Sequence, residues 1–406
     1  MGFAPRLLWI EDEARAREEI LLVGADPVGA DRMASKMVRR LVKLSKVPCR
    51  AANILKQEML ALGGDAAVAR GSVACALPET DVILIGSVKK LRILCSRLLD
   101  QPFGLSALAG ELSALLQNLD RPPQHLEGRS CRLVLDRPRI MGILNVTPDS
   151  FSDGGRYASL ERALDRAREL AAEGADLIDI GGESTRPGSQ PVSPQEETDR
   201  VVPVIEGIRR EIDLPLSVDT TKGAVALAAV GAGADFINDV SGLRFDPQMA
   251  KAAAACGAGL FLMHTRGRPA EMQLDTTYRD MVGEVVAYLK ESMEQALAAG
   301  VPEAKLAVDP GIGFGKSPAG NLEILRRLRE FQSLGRPILL GTSRKGFIGQ
   351  VIGQPVPDQR LYGTLATVAL GVERGAGIFR VHDVRPARET ALMAWAVCRG
   401  EEEAEN

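Results

Sequence analysis

RIMGILN at residues 139–145 and DLIDIG at 176–181 set the architecture expected of this chain. Each is a short, almost continuously apolar run, the pattern of a strand buried on both faces in a parallel sheet. Between them, Leu160–Ala172 spaces its apolar residues at the 3.6-residue period of an amphipathic helix. The unit then recurs. Further strands are read at LPLSVD (214–219), DFINDV (235–240), GLFLMH (259–264), KLAVDP (305–310), PILLG (337–341) and GIFRVHD (377–383), with helical spacing over Tyr278–Ala299 and Leu361–Glu373. A doubly wound open sheet uses the same alternation. The count of eight favours an α/β fold of the closed (β/α)8 kind, a TIM barrel, over residues 138–400.

Beyond the repeat the texture changes. Residues 1–120 mix apolar runs (Ile20–Val23, Val82–Ile85) with helical stretches at Met33–Leu44, Ser87–Leu99 and Leu105–Leu116, which predicts an additional small N-terminal α/β domain. DRPPQHLEG (120–128) carries paired prolines among polar residues, so 121–137 reads as a linker. The final EEEAEN (401–406) reads as a solvated acidic tail.

Composition narrows the function classes. The 406 residues are 45% hydrophobic and 25% charged, with a formal net charge of −3, so the field of the whole chain offers nothing to nucleic acid or an anionic membrane. An anionic substrate must be held by a local cluster. No apolar run approaches the ~20 residues that span a bilayer. Six scattered cysteines without a CxxC pair, and only three histidines, argue against a zinc site and for a reduced, cytoplasmic protein.

Nearly every strand ends in a polar residue: Asn145, Asp179, Asp219, Asn238 with Asp239, His264, Asp309, Ser343–Arg344–Lys345, and Arg380 with His382. In a barrel these ends share one rim, where the βα loops build the site. A single polar strand end is as readily explained by contact with water, but eight converging on one rim are not. Carboxylates and amides suit a flat heterocycle with a donor fork, and Arg186, Lys345, Arg380 and His382 suit anionic groups. Other motifs fail. GIGFGKS (311–317) lacks a P-loop's first glycine, because Pro310 stands there. Ser343 has no evident His–Asp arrangement in sequence, which argues against a catalytic triad.

MGILNVTPDSFSDGG (141–155) and IDIGGESTRPG (178–188) resemble the two long signatures of dihydropteroate synthases. SVDT (217–220), INDVSG (237–242), LMHTRGRP (262–269), DPGIGFGK (309–316), GTSRKGFIG (341–349) and RVHDV (380–384) follow in that family's order. The resemblance covers about 139–400 and implies condensation of 6-hydroxymethyl-7,8-dihydropterin diphosphate with p-aminobenzoate. It implies that Asp219, Asn238, Asp309 and Lys345 hold the pterin, and that Asn145 contacts the diphosphate and its Mg2+. Arg380 and His382 would bind diphosphate oxygens. A loop with Thr185, Arg186 and Pro187 would close over p-aminobenzoate, which Ser343 helps to place. Lys345, Arg380, Asp219 and Asp309 are the implied catalytic set, acting by SN1-like loss of Mg-bound diphosphate. A homodimer with small-molecule partners is expected. Thr265-Arg266 departs from the family's usual Met after the histidine. A pterin-dependent methyltransferase would share the Asp/Asn pocket but has no use for the diphosphate cluster. A pterin-binding regulatory barrel would not need the cations kept intact.

Overall fold

The computed structural model describes residues 4–146, 156–185 and 188–400. Two compact units divide the chain, Met1–Asp120 and Arg121–Asn406. In the first, α1 (Glu13–Leu22) and α2 (Pro27–Met37) precede β1 (Arg39–Pro48), α3 (Cys49–Ala61), β2 (Asp65–Val68), β3 (Glu79–Ser87), α4 (Val88–Leu98) and α5 (Leu105–Asp120). The three strands form an antiparallel sheet in the order β1-β3-β2. Leu55, Met59, Leu84, Leu91, Leu94 and Leu98 fill the core between sheet and helices.

One sequence expectation fails here. Met33–Leu44 is not one helix: α2 stops at Met37, Val38 is extended (φ −79°, ψ 115°), and β1 begins at Arg39. Residues 39–44 pair one-for-one with residues 87–82 of β3. The local spacing of RRLVKL fits a helix or a strand, and the long-range pairing decides.

The second unit opens with a hairpin, β4 (His125–Glu127) and β5 (Arg132–Val134), inside the stretch expected to be a linker. Prolines and polar residues at 121–124 hide it from a reading of composition. Leu126 and Leu133 point one way from the hairpin and pack on Met141, Leu177, Phe236, Phe261, Ala307, Leu339 and Ile378. Gly128 turns the hairpin where a Cβ would meet Cys131 Sγ at 2.8 Å and Phe236 Cζ at 3.0 Å.

Eight parallel strands follow: β6 (Arg139–Asn145), β7 (Leu177–Gly181), β8 (Leu216–Asp219), β9 (Phe236–Asp239), β10 (Gly259–Met263), β11 (Leu306–Asp309), β12 (Leu339–Leu340) and β13 (Ile378–Val381). Their order is β11-β10-β9-β8-β7-β6-β13-β12, and a parallel bridge from Val308 to Ile338 closes the ring. This is the TIM barrel expected from the repeat. Intervening helices bury the outward strand residues, such as Ile178, Val218, Leu262, Val308 and Phe379, in one large core. Among them are α6 (Arg156–Ala172), α7 (Pro194–Glu211), α8 (Gly223–Ala232), α9 (Met249–Cys256), α10 (Met281–Ala298), α11 (Pro318–Arg326), α12 (Gly346–Ile352), α13 (Leu361–Glu373) and α14 (Val384–Arg399). Among the described residues no helix is long and apolar enough to cross a membrane. Among the described residues no disulfide joins the cysteines.

Candidate active site at the C-terminal rim of the barrel

Side chains alternate along a strand, so residues two apart share a face. The inward residue two places beyond the apolar end layer is, strand by strand, Ile143, Asp179, Asn238, Met263, Asp309, Gly341 and Arg380. Asp219 takes the same level on β8. Ile143, Asp219, Asn238, Met263, Asp309, Gly341 and Arg380 line one cleft with Thr185, Val240, Phe314, Ser343, Lys345 and His382. The strand-end residues singled out from sequence thus include most of a single lining.

Arg380 is the hub. Its Nε donates to Asp179 Oδ2 at 2.6 Å and its NH2 group to Asp219 Oδ2 at 2.8 Å. Asp179 is fully buried on β7 and also accepts from Asn238 Nδ2 at 3.0 Å. One carboxylate therefore orients both the guanidinium and the amide. In sequence Asp179 is only a polar strand end, because nothing in its neighbours shows the cross-barrel partners. Asp179 Oδ1 and Asp219 Oδ1 are buried with no hydrogen-bond partner among the described residues. A lone buried acceptor costs about 1–3 kcal/mol unless something donates to it. Burial pushes the Asp219 carboxyl up to about 7, a larger effect than the opposing pull of Arg380.

Across the cleft, Asp309 Oδ1 accepts from Gly311 N at 2.7 Å, and burial raises its pKa against the pull of Lys345. Lys345 Nζ donates to the carbonyl of Ile312 and lies 4.6 Å from the centre of the Phe314 ring. Burial lowers its pKa to about 8, with Asp309 opposing. Lys345 stands at the N-cap position of α12, which is only seven residues long, without a side-chain capping bond.

The glycine-rich loop 311–316 is held from below by a residue whose sequence context gives no sign of the role. Lys316 is buried and donates to Gly311 O (2.8 Å) and Phe314 O (2.9 Å), with His264 Nδ1 at 2.8 Å. Burial holds its ammonium well below the ordinary lysine range and keeps His264 neutral. Gly311 itself has φ +69°, and a Cβ there would collide with the His264 carbonyl. The departure at Thr265-Arg266 leads away from the strand ends: Arg266 binds Asp275 at 2.6 Å and stacks over Tyr278 at 4.6 Å.

At Ser343 the structure corrects the expectation from sequence. Its Oγ lies 2.9 Å from His382 Nδ1 and accepts the His382 backbone N–H at 3.1 Å, so a histidine does stand beside it. The adjacent Asp383 carboxylate instead binds Arg344 at 2.6 and 3.0 Å. Ser343 and His382 form a serine–histidine pair. Folding brings together residues 39 apart in the chain, which inspection of either segment alone does not reveal.

Thr185 borders the cleft, on a segment tied down by Glu183, which takes Lys222 Nζ and the Val192 N–H. Arg186, Pro187 and residues 147–155 of the first signature lie outside the described residues. Asn145 is half-buried at the end of β6, opposite Gly181. Among the described residues no group of three or more His, Cys, Asp or Glu is arranged to hold a metal ion. One amide oxygen suits Mg2+ only as a single ligand beside phosphate and water oxygens, which is the way this ion is usually held.

Residues 141–382 match the family described as pterin binding enzyme. Bacillus subtilis dihydropteroate synthase is 49% identical over 258 residues, 64% of this chain and 88% of that protein. The chain belongs to the dihydropteroate synthase family. The solved structure of dihydropteroate synthase from Xanthomonas albilineans, in complex with 7,8-dihydropteroate, is 44% identical with a TM-score of 0.61, covering 67% of this chain and 98% of that one. A probable bifunctional folylpolyglutamate synthase/dihydropteroate synthase of Halobacterium salinarum is 44% identical over 372 residues, 91% of this chain. This chain spans 44% of that relative's length. The longer match exceeds Arg121–Asn406 and so reaches into the N-terminal unit, whereas the B. subtilis match is short enough to fit within the barrel unit.

Proposed function

We propose that this chain is a transferase, a dihydropteroate synthase, condensing 6-hydroxymethyl-7,8-dihydropterin diphosphate with p-aminobenzoate to give 7,8-dihydropteroate and diphosphate. The observation that carries the reading is one cleft lined by Asp219, Asn238, Asp309 and Lys345 together with Arg380 and His382. The unpartnered Asp219 Oδ1 suits a ring N–H or amino group, and Asp309 presents a second acceptor on the other side. Lys345 adds a donor for a ring oxygen or nitrogen.

The chemistry needs little proton transfer, because an aniline nitrogen is already nucleophilic near pH 7. The bond between the pterin methylene and the diphosphate oxygen breaks, and its electron pair leaves with diphosphate. The amine lone pair then forms the new C–N bond, and the amine proton passes to solvent or phosphate. Departure ahead of attack leaves positive charge on the pterin, which the carboxylates of Asp179, Asp219 and Asp309 favour. Arg380 and the Ser343–His382 pair take the departing oxygens. Mg2+ held by the diphosphate and Asn145 would supply further neutralisation of that charge. Preorganised groups of this kind are worth about 3–4 kcal/mol each. The loop with Thr185, Arg186 and Pro187 would cover p-aminobenzoate beside Ser343.

A homodimer and a cytoplasmic location belong to the same reading. Supporting a dimer, α13 and α14 leave Tyr362, Met393 and Val397 exposed at 83%, 66% and 69%. The test is to supply both substrates and Mg2+ to the purified full chain. Dihydropteroate should appear only when p-aminobenzoate is present, and p-aminobenzoate should speed diphosphate release. No dihydropteroate, or diphosphate release that p-aminobenzoate does not change, would overturn it.

A further inference from the structure

A second cavity lies wholly within the N-terminal unit, with a volume of about 580 Å³. That is within the range of small-molecule sites, roughly 300–1,000 Å³. Its lining combines two kinds of surface. Leu62, Ile85 and Ile93 give an apolar wall, and Lys36, Arg39, Lys89 and Lys90 supply four cations against one carboxylate, Asp65. The cations come from three elements: the last turn of α2, the start of β1 and the first turn of α4.

Several arginines of the unit are paired with carboxylates. Arg92 binds both Glu13 and Asp120, Arg97 binds Glu58, Arg17 binds Asp31, and Arg15 binds Glu18 and Glu19. Lys36, Arg39 and Lys89 have no side-chain hydrogen bond or ion pair among the described residues, and Lys90 gives only one bond, to the Gly63 carbonyl. Asp65 faces them but accepts from its neighbour Ala66 N at 2.7 Å. Four like charges around one concavity repel one another while it is empty. An anion entering the cavity relieves that repulsion.

We propose that this cavity binds a phosphorylated small molecule, a di- or triphosphate joined to a flat or apolar body. The lining's excess of three positive charges matches two or three phosphoryl groups. Lysines serve as point-charge phosphate donors, and the positive end of α4 adds to the same field. The apolar wall takes the rest of the ligand, since diphosphate alone would leave Leu62, Ile85 and Ile93 uncovered. Its lining residues all belong to the N-terminal unit. Relatives such as the B. subtilis enzyme match only about as much chain as the barrel unit contains, so dihydropteroate formation does not call for it.

The test uses the full chain, with ATP as probe, in calorimetry with the barrel saturated by pteroic acid. Wild type should bind ATP, inorganic diphosphate should bind more weakly, and Lys36→Glu/Lys89→Glu should weaken ATP at least tenfold. Both side chains are exposed, so the pair should melt with wild type and, without ATP, make dihydropteroate at the wild-type rate. Four results would each overturn the proposal. They are no ATP binding at millimolar concentration, binding abolished by pteroic acid, equal binding by the double variant, and binding of pentaglutamate in place of ATP. Equal affinity for diphosphate and ATP would remove the apolar body from the assignment.

Discussion

The two ends of the barrel are made from the same strands and could hardly differ more. At the N-terminal end the inward layer is Met141, Leu177, Phe236, Phe261, Ala307, Leu339 and Ile378, sealed by Leu126 and Leu133 of the hairpin. Two residues further along, about 7 Å at the rise of a strand, the inward groups are Asp179, Asp219, Asn238, Asp309 and Arg380. The contrast shows how one set of strands keeps stability and chemistry apart. The dry layer is insensitive to which apolar residue fills it, provided the volume is right. In the wet layer Arg380, Asp179, Asp219 and Asn238 hold one another and Asp309 holds a loop amide, while among the described residues unsatisfied acceptors remain for a ligand.

The largest effect is expected at the dry end. Phe236→Ala removes a ring packed 5.5 Å from that of Phe261 and should cost about 3–5 kcal/mol of stability, read by chemical denaturation. Activity per folded molecule should stay near wild type. At the wet end the pattern should invert. Asp309→Ala should lower kcat/KM by about 10²–10³-fold, the scale of losing one preorganised group, while the denaturation midpoint changes little. A large fall in stability with unchanged kcat/KM would show that the rim is merely structural.

Lys316→Met probes the layer between. It leaves the carbonyls of Gly311 and Phe314 without their donor, at about 1–3 kcal/mol, offset in part by no longer burying an ammonium. Because Lys316 supports the loop beside Lys345 and Phe314, KM for the pterin should rise more than kcat falls. Equal loss in both would make it a reacting group instead.

The smallest effect is in pH. Asp219 must lose its proton to accept from the pterin, and its carboxyl lies near pH 7, so kcat/KM should rise as pH climbs through that value. Lys345 must keep its proton, and its ammonium titrates near 8, so kcat/KM should fall beyond that. The free-enzyme profile should be a narrow bell. Lys345→Arg should remove the alkaline limb, and a bell unchanged in that variant would contradict the assignment of that limb.

Much of this architecture is legible in the amino-acid sequence. Parallel strands are buried on both faces, so DLIDIG and GLFLMH announce themselves, and the eight strands lie within the segments read from sequence. Their polar ends name most of the cleft. What escapes such a reading depends on distant partners. Arg39–Pro48 is a strand because β3 is there to pair with it. Leu126 and Leu133 are core because a barrel end needs a lid. Asp179 matters through Arg380, 201 residues away, and Lys316 through His264 and a loop that folds over it.

Everything proposed for the barrel rests on the rim residues surrounding a single pterin. A crystal structure of the chain with pteroic acid decides the matter. The pterin ring should lie within hydrogen-bond distance of Asp219, Asn238, Asp309 and Lys345, with the benzoate end toward Ser343. A ring bound elsewhere, with Arg380 still closed on Asp179 and Asp219 and the cleft empty, would refute it.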